Sequence, residues 1–300
     1  MTEQLPIEAA EAGAAGAPAD VHLFQIVYSA ETLAGLQPGF QPLDNLENPR
    51  PDWYEYWPIR RYLLTTPLDE AAFYGFFSPR FPEKLGLDHL GLRAFAAANG
   101  GDADVLIFSP QPDMGALFLN VFEQAETFDP GMIATFEAVL TRLGRPAALA
   151  GMVMDSRQVA FSNYILARPA FWRAWLALNE AIFALAENPA DPVGALLREA
   201  TLYPGAAERK VFLMERVASF LLAETPAWRS RRCTPFRFAW SATPLAARPL
   251  LSVLSDAAKL AYRELGDPDY LAAFAALRED FKAPGTADAA FAALRGLPTS

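Results

Sequence analysis

The chain has 300 residues, of which 52% are hydrophobic and 20% are charged, and its formal net charge is −10. This length is enough for one large domain or two small ones, and the composition is typical of a packed globular protein. The negative charge argues against a nucleic-acid backbone as the main partner, because proteins that bind such backbones need a basic surface.

The first twenty residues are predicted to be a disordered tail, because the alanine- and glycine-rich run at 9–19 shows no apolar periodicity. We expect no signal peptide and no transmembrane segment, since no stretch approaches the roughly 18 apolar residues that a membrane helix needs. The single cysteine, Cys233, excludes an internal disulfide and suits a reducing compartment. The expected location is therefore the cytoplasm.

In chain order, strands alternate with helices at first, and helices dominate later. Strands are predicted at 21–28, 72–78, 104–109, 147–154 and 159–167. Helices are predicted at 53–64, 88–99, 113–125, 130–143, 169–187 and 206–224, with a proline-rich ordered loop at 36–52. This pattern predicts an α/β protein with a mixed, mostly parallel sheet flanked by helices. We expect that domain to span 21–243 and a helical C-terminal extension, 244–300, to pack on it.

The segment 53–81 combines ten aromatic side chains with Arg60, Arg61 and Arg80. A buried core needs bulk but does not need arginines among its rings. Aromatic faces and planar cations are suited to holding sugars and phosphates. Most of the rings are interpreted as core, and the three arginines as the functional candidates.

Several common catalytic devices are missing from the sequence. There is no phosphate-binding P-loop, no dinucleotide fingerprint, no GxSxG and no HExxH, and the chain has only two histidines. Any chemistry must therefore rest on carboxylates, amides, tyrosines and arginines. One DxD sequence, Asp102 to Asp104, could ligate Mg²⁺ or Mn²⁺, but it precedes a strand, and the alternative interpretation is a solvated turn.

Two further segments carry polar residues beside apolar helix faces. Glu208 and Glu215, seven residues apart, fall within about 20° of each other on a helix. Glu215 flanks the apolar face, where desolvation raises a carboxylate pKa, so it is either a general base or part of a helix-stabilising Glu-Arg lattice. Asn163 and Tyr164 precede a tryptophan-rich helix and could donate to and accept from sugar hydroxyls.

Five motifs in order carry a resemblance to a known family: FQIVYS, YEYWPIRRYL, FYGFFSPRF, SNYILARPAFWRAWL and ERKVFLMERVASFLLA. Together they resemble the glycosyltransferase-like proteins encoded in bacterial capsule, O-antigen and exopolysaccharide loci. The resemblance covers roughly 22–224. One departure is that many of those proteins carry a histidine where this chain has Phe77-Ser78-Pro79-Arg80.

The resemblance implies a GT-A-like fold that transfers a sugar from a nucleotide-sugar donor to a glycan acceptor in surface-polysaccharide synthesis. Peripheral association with membrane-bound glycan assembly would follow. The nucleotide would lie near Tyr28 and Ser29, and the diphosphate near Arg60, Arg61 and Arg80. The acceptor would lie near Asn163, Tyr164, Glu208 and Glu215.

An inverting transfer needs one carboxylate base, for which Glu215 and Asp155 are the candidates. With the DxD placed before a strand, metal dependence stays open, because arginines can themselves neutralise the leaving diphosphate. The alternative function is a non-catalytic module that binds carbohydrate or a nucleotide-sugar, or serves as a scaffold, with a degenerate glycosyltransferase fold.

Overall fold

The computed structural model describes residues 20–203 and 207–281. Its strands are β1 (Val21–Val27), β2 (Gln41–Asp44), β3 (Phe73–Phe77), β4 (Val105–Ile107), β5 (Ile165–Ala167) and β6 (Ser230–Arg232). They form one six-stranded mixed sheet in the order β2-β1-β3-β5-β4-β6. Strand β5 is antiparallel to both of its neighbours, and every other pairing is parallel. The protein is therefore α/β with a mostly parallel sheet, as predicted.

Helices flank this sheet. In the described chain they are α1 (Ala30–Ala34), α2 (Tyr56–Thr65), α3 (Phe81–Leu85), α4 (His89–Asn99), α5 (Pro112–Leu117), α6 (Val121–Phe128), α7 (Met132–Arg142), α8 (Pro169–Glu187), α9 (Pro192–Leu197), α10 (Arg209–Glu224), α11 (Pro249–Leu265) and α12 (Pro268–Phe281). The predicted helix at 169–187 is confirmed over its full length, and it begins at a proline, whose fixed φ suits a first helical position.

Period-two alternation along the strands explains why both faces of the sheet are covered. In β1, Phe24 and Ile26 pack on one side with α2, α8 and α10, in the larger of the two sheet cores. Val21 and Leu23 point to the other side, where α3 and α4 pack. Successive strand side chains point to opposite faces, and β1 carries apolar residues on both, so helices cover it on both sides.

The aromatic segment lies mainly in these cores, as its interpretation predicts. Trp53 and Tyr56 pack in the larger core, and Phe76 sits between Phe24 and Trp172, with ring centroids 5.5 and 4.9 Å away. Aromatic side chains bury large apolar areas, so this segment stabilises the contact between the sheet and α8.

Four predicted elements differ from the structure. Residues 147–154 form no strand and contain only a short 3₁₀ turn, Leu149–Gly151. The predicted loop at 36–52 includes the edge strand β2. The predicted helix at 113–125 is two helices, because the Asn120 side chain accepts hydrogen bonds from two backbone amides and starts α6. The predicted strand at 159–167 is shortened to β5 by the 3₁₀ turn at Phe161–Asn163.

The C-terminal helices contact the sheet-bearing part of the chain through polar groups. The Lys259 ammonium of α11 donates to the carbonyl oxygens of Gly115 and Phe118, each at 2.7 Å, at the C-terminal end of α5. Asp256 accepts hydrogen bonds from the backbone and hydroxyl of Ser156. Cations at a helix C-terminus satisfy carbonyls that have no intrahelical partner. A boundary at 243/244 stays a prediction, and the tail at 1–19 and residues 282–300 lie outside the described residues.

No helix among the described residues has both the length and the apolar character needed to cross a membrane.

Candidate functional site

Polar side chains collect at one edge of the sheet, which we call the carboxyl edge. Strands β1 to β4 are parallel to one another and end there, whereas the antiparallel β5 begins there. In open α/β sheets, ligands bind outside the carboxyl ends of the strands, where the strand order reverses direction. Here β1 leads to β2 on one side, and the chain then returns to β3 on the other side.

A small cleft of about 20 Å³ lies near this edge, on the side of the larger core. Four stretches of chain line it: the segment before and at the start of α2, the turn before β5, helix α8 and helix α10. The lining residues are Trp53, Tyr54, Glu55, Tyr56, Asn163, Trp175, Val211, Met214 and Glu215. The cleft therefore combines aromatic walls with two carboxylates and one amide.

Glu55 and Glu215 are the two carboxylates, and within the described chain neither side chain has a hydrogen bond or ion pair. Burial, and secondarily the charge of Glu215, raises the pKa of Glu55 to about 7. Burial also raises the pKa of Glu215, against the opposing charges of Arg216 and Lys84. The charge of Glu215 therefore opposes ionisation of Glu55. The cleft can therefore hold an exchangeable proton near neutral pH.

Lys84 supplies positive charge beside this pair. Its ammonium donates to the Ser162 hydroxyl at 3.0 Å and lies 5.6 Å from the centroid of the Tyr164 ring. Its charge lowers the pKa of Glu55 in opposition to the effect of burial. No carboxylate of the described chain lies within ion-pair distance of Lys84, so the ammonium can interact with an anionic ligand.

Tyr164 connects the cleft to the end of β3. Its hydroxyl lies 2.5 Å from the Ser78 hydroxyl, and both groups are buried. Burial raises the pKa of the Tyr164 phenol, and the charges of Glu55, Arg80 and Glu215 also act on it. The charges of these three side chains, which come from distant parts of the sequence, therefore all act on one phenol.

The backbone is unusual at the cleft. Tyr54 has φ 46° and ψ −130°, and Asn163 has φ 51°, in the left-handed region that non-glycine residues seldom adopt. Ser162, next to Asn163, has φ 59°. Such conformations cost about 1–3 kcal/mol each and cluster at functional sites. They persist here because Trp53 and Tyr164, the neighbours in sequence, are fully buried.

Of the residues predicted from sequence, Asn163 and Glu215 line the cleft, and Tyr164 and Arg80 lie beside it. Arg80 is exposed, and its guanidinium is 3.3 Å from Glu83. Tyr28 and Ser29 follow β1 at the carboxyl edge. Tyr28 is 49% exposed, and the Ser29 hydroxyl accepts a hydrogen bond from the amide of Thr32 to begin α1.

The structure places Arg60 and Arg61 away from the cleft lining. Arg60 forms a two-point ion pair with Glu180 of α8, at 2.6 and 2.8 Å. Arg61 donates to the carbonyl oxygen of Asp44 at 2.8 Å on the surface. Both arginines therefore hold α2 against its neighbours.

Asp155 and Glu208 are likewise occupied elsewhere. The Asp155 carboxylate is fully buried, 2.8 Å from Arg157 and 3.6 Å from Arg263. Glu208 precedes α10 and pairs with Lys210 at 2.7 Å. A carboxylate paired in this way stabilises the fold, and neither residue lines the cleft with Glu215.

Asp102 and Asp104 lie at the opposite edge of the sheet, before β4. Asp102 is 2.7 Å from Arg231, and Asp104 is 3.4 Å from Arg229. No group of three or more His, Cys, Asp or Glu side chains in the described part of the chain is arranged to hold a metal ion. The two aspartates therefore do not fit a metal site that would serve the cleft.

Sequence reasoning missed Glu55, Lys84 and Ser78. A lone carboxylate between aromatic residues, as in WYEYW, was a usable signal for Glu55, because burying a charge beside rings requires a reason. Nothing local marks Lys84, which reaches the site only because α3 follows β3 directly.

Comparisons with protein-family models, with curated proteins and with solved structures found no match for this chain.

Proposed function

We propose that this protein is a glycosyltransferase with a GT-A-like fold, which transfers a sugar from a nucleotide-sugar donor to a glycan acceptor. The observation that carries the proposal is the pair Glu55 and Glu215, two unneutralised carboxylates with raised pKa values in one aromatic cleft. The motif order along the chain supplies the family context, and the mixed, mostly parallel sheet is compatible with it.

The transfer requires a base. As the acceptor oxygen bonds to the anomeric carbon, its proton passes to Glu215, and the anomeric bond to the diphosphate breaks with its electron pair leaving on the diphosphate. A base works best when its pKa is close to the working pH, and burial brings the cleft carboxylates toward that range. Glu55 supports this role, since its charge resists ionisation of both groups at once.

The departing diphosphate carries negative charge that the protein has to stabilise. Lys84 and Arg80 follow β3 and provide cations beside the cleft, and Tyr28 and Ser29 follow the adjacent β1. The donor would therefore lie along the carboxyl ends of β1 and β3, with the acceptor in the cleft. The steps use only these side chains, because Asp102 and Asp104 are paired with arginines at the far edge.

The second candidate is a non-catalytic module that binds carbohydrate or a nucleotide-sugar. The position of Asp102 and Asp104 favours it, since a fold that had lost a metal site would leave such a pair bound in ion pairs. Under both proposals the protein acts in the cytoplasm. The free, half-buried thiol of Cys233 suits such a reducing compartment.

The test is thermal denaturation with UDP-, GDP-, CMP- and dTDP-sugars, with and without Mn²⁺, followed by assay of nucleotide release with glycan acceptors. We expect one donor to add a few kcal/mol to the free energy of unfolding at saturation, and to be turned over. If no donor stabilises the protein, both proposals that involve a nucleotide-sugar are wrong. Stabilisation without turnover over a broad acceptor panel would favour the binding module.

A further inference from the structure

Helix α11 directs a polar face toward the protein and an apolar face toward solvent. The buried polar side chains on its inner face are Ser252, Ser255, Asp256 and Lys259. On its outer face Leu250, Val253 and Leu254 are 69%, 39% and 43% exposed. A surface helix normally directs its apolar stripe at the core, so the orientation of α11 is inverted.

The inner face has a role in the fold, and the outer face has none. The inner ammonium and carboxylate bind the end of α5 and residue Ser156, as described above. In the described chain, none of the three outer side chains belongs to a hydrophobic core. They occupy positions i, i+3 and i+4 and therefore form one ridge, which we call the α11 ridge. Single exposed apolar residues are ordinary, but a contiguous stripe of them marks an interaction site.

The chain is basic just before this ridge. Residues 225–255 contain five arginines and no aspartate or glutamate, although the net charge of the whole chain is −10. Two of the five arginines pair with aspartates that precede β4. The guanidinium groups of Arg232 and Arg237 have no ion pair with a carboxylate of the described chain. These two cations can therefore interact with an anionic partner.

The basic segment lies against α11. Phe236, which precedes Arg237, lines a cavity of about 20 Å³ together with Asp256 of α11. The half-buried ring of Trp240 is 6.2 Å from that of Phe236, measured between centroids. Arg232 is the last residue of β6, which is parallel to β4, so it lies at the carboxyl edge. The segment between β6 and α11 therefore places cations and aromatic rings beside the helix that carries the ridge.

The shape and charge of this surface restrict its partner. A peptide that docks through an apolar face needs a groove, whereas the α11 ridge protrudes from a convex helix surface. In a two-fold dimer the same patch lies on both partners, so the arginines of one copy would approach those of the other. A bilayer with anionic headgroups accepts both an apolar helix ridge and neighbouring cations. The surface therefore fits a lipid layer best.

We infer that this surface binds an anionic phospholipid bilayer, with Leu250, Val253 and Leu254 entering the headgroup region and Arg232 and Arg237 contacting lipid phosphates. None of these residues lines the cleft, so the inference is independent of the proposed function and of the family resemblance. Binding in this way would hold the carboxyl edge close to the membrane surface.

The test is co-sedimentation of the full chain with vesicles of phosphatidylcholine, either alone or mixed equally with phosphatidylglycerol. We expect the mixed vesicles to bind at least about tenfold more tightly than the neutral ones, and added salt to weaken this binding. A variant that combines Leu250→Ser with Leu254→Ser should bind the mixed vesicles about 10- to 100-fold more weakly. Arg237→Gln should weaken the binding about fivefold.

Helix α4 provides matched controls, because Leu90 is 62% exposed there and Arg93 is exposed beside it. Leu90→Ser and Arg93→Gln should bind the mixed vesicles as tightly as the parent protein. All of these variants change exposed side chains, so each should melt close to the parent.

The inference is overturned if the parent protein binds no vesicles, if the double leucine variant binds as tightly as the parent, or if the α4 variants lose as much affinity. Sedimentation velocity tests the other occupant. A parent dimer that the double leucine variant cannot form, together with no binding to vesicles, would assign the α11 ridge to a second copy of the chain and reject the bilayer.

Discussion

Two regions of the molecule hold carboxylates that are fully or partly buried, and they differ in how the charge is compensated. Asp155 is fully buried between Arg157 and Arg263 and also accepts from the backbone amide of Arg157. Glu55 and Glu215 have no such partners among the described residues, and burial raises their pKa values. The compensated carboxylate holds chain segments together, whereas the uncompensated pair keeps the ability to exchange a proton.

The largest expected effect is on transfer. Glu215→Gln removes the proposed base, so we expect turnover to fall about 100- to 10,000-fold with folding retained, because an amide in a desolvated position costs less than a charge. Steady-state kinetics with a turned-over donor provides the measurement. Glu208→Gln is the control, since Glu208 repeats the Glu-Arg motif but pairs with Lys210 outside the cleft lining. Equal activity in the two variants would contradict the assignment.

A substitution at Asp155, in the compensated region, should lower stability instead of turnover. Asp155→Asn removes the buried carboxylate that Arg157 and Arg263 share and leaves Arg157 only its pair with Glu264, so we expect a loss of about 1–3 kcal/mol in the free energy of unfolding. Urea denaturation measures it. Glu70→Gln, which breaks the exposed two-point pair with Arg173, is the control and should change little. A stable Asp155→Asn protein that had lost only turnover would instead assign Asp155 to the chemistry.

A pH series should separate the regions further. The pKa of Glu55 rises on folding from 4.5 to about 7, so protonation favours the folded state. Its contribution to stability is fully present below pH 4.5 and is lost as the pH rises through about 7. We expect a decline of about 1–3 kcal/mol over that window.

Glu55→Gln should flatten this part of the curve, as measured by urea denaturation at fixed pH values. Glu83→Gln, on the exposed surface beside Arg80, should leave it unchanged. If the stability of the parent protein does not fall over this pH window, the charge of the Glu55 carboxylate must be neutralised by a partner in solution.

The smallest expected effects distinguish two arginines of the aromatic segment. Arg60→Gln loses the ion pair with Glu180, so we expect about 1 kcal/mol of destabilisation and unchanged kinetics. Arg80→Gln should leave stability unchanged and raise the donor KM about tenfold, which corresponds to one lost charged contact. Melting curves measure the stability of both variants, and kinetics at varied donor concentration measure their donor KM. An unchanged donor KM in Arg80→Gln would remove Arg80 from the site.

Sequence patterns predicted the fold class and most elements, because apolar periodicity and helix boundary signals act locally. The helix at 169–187 has an apolar periodicity and a proline at its first position, and its bounds were predicted correctly. Strand β6 was missed, since its Ser-Arg-Arg sequence lacks an apolar pattern and depends on pairing with β4. The interpretation of most aromatic rings in 53–81 as core was also correct.

The cleft was only partly foreseen. Asn163 and Glu215 were identified from polar residues flanking apolar runs, which is a local signal. The ion pairs of Arg60 with Glu180 and of Asp155 with Arg157 and Arg263 were not foreseen, because they depend on which helices meet in three dimensions. Lys84 lies beside the cleft through tertiary packing alone.

The late position of β5 in the chain, between two strands that come earlier, determines when the cleft forms during folding. The contact between Ser78 and Tyr164 joins residues 86 positions apart, and both neighbours of β5 precede it in the chain by long segments. Contacts of such high sequence separation form at a large entropic cost in the folding transition. The cleft therefore forms only after the chain has been synthesised through α10 and β5 has paired with β3 and β4, so a ligand of the cleft would report completed folding.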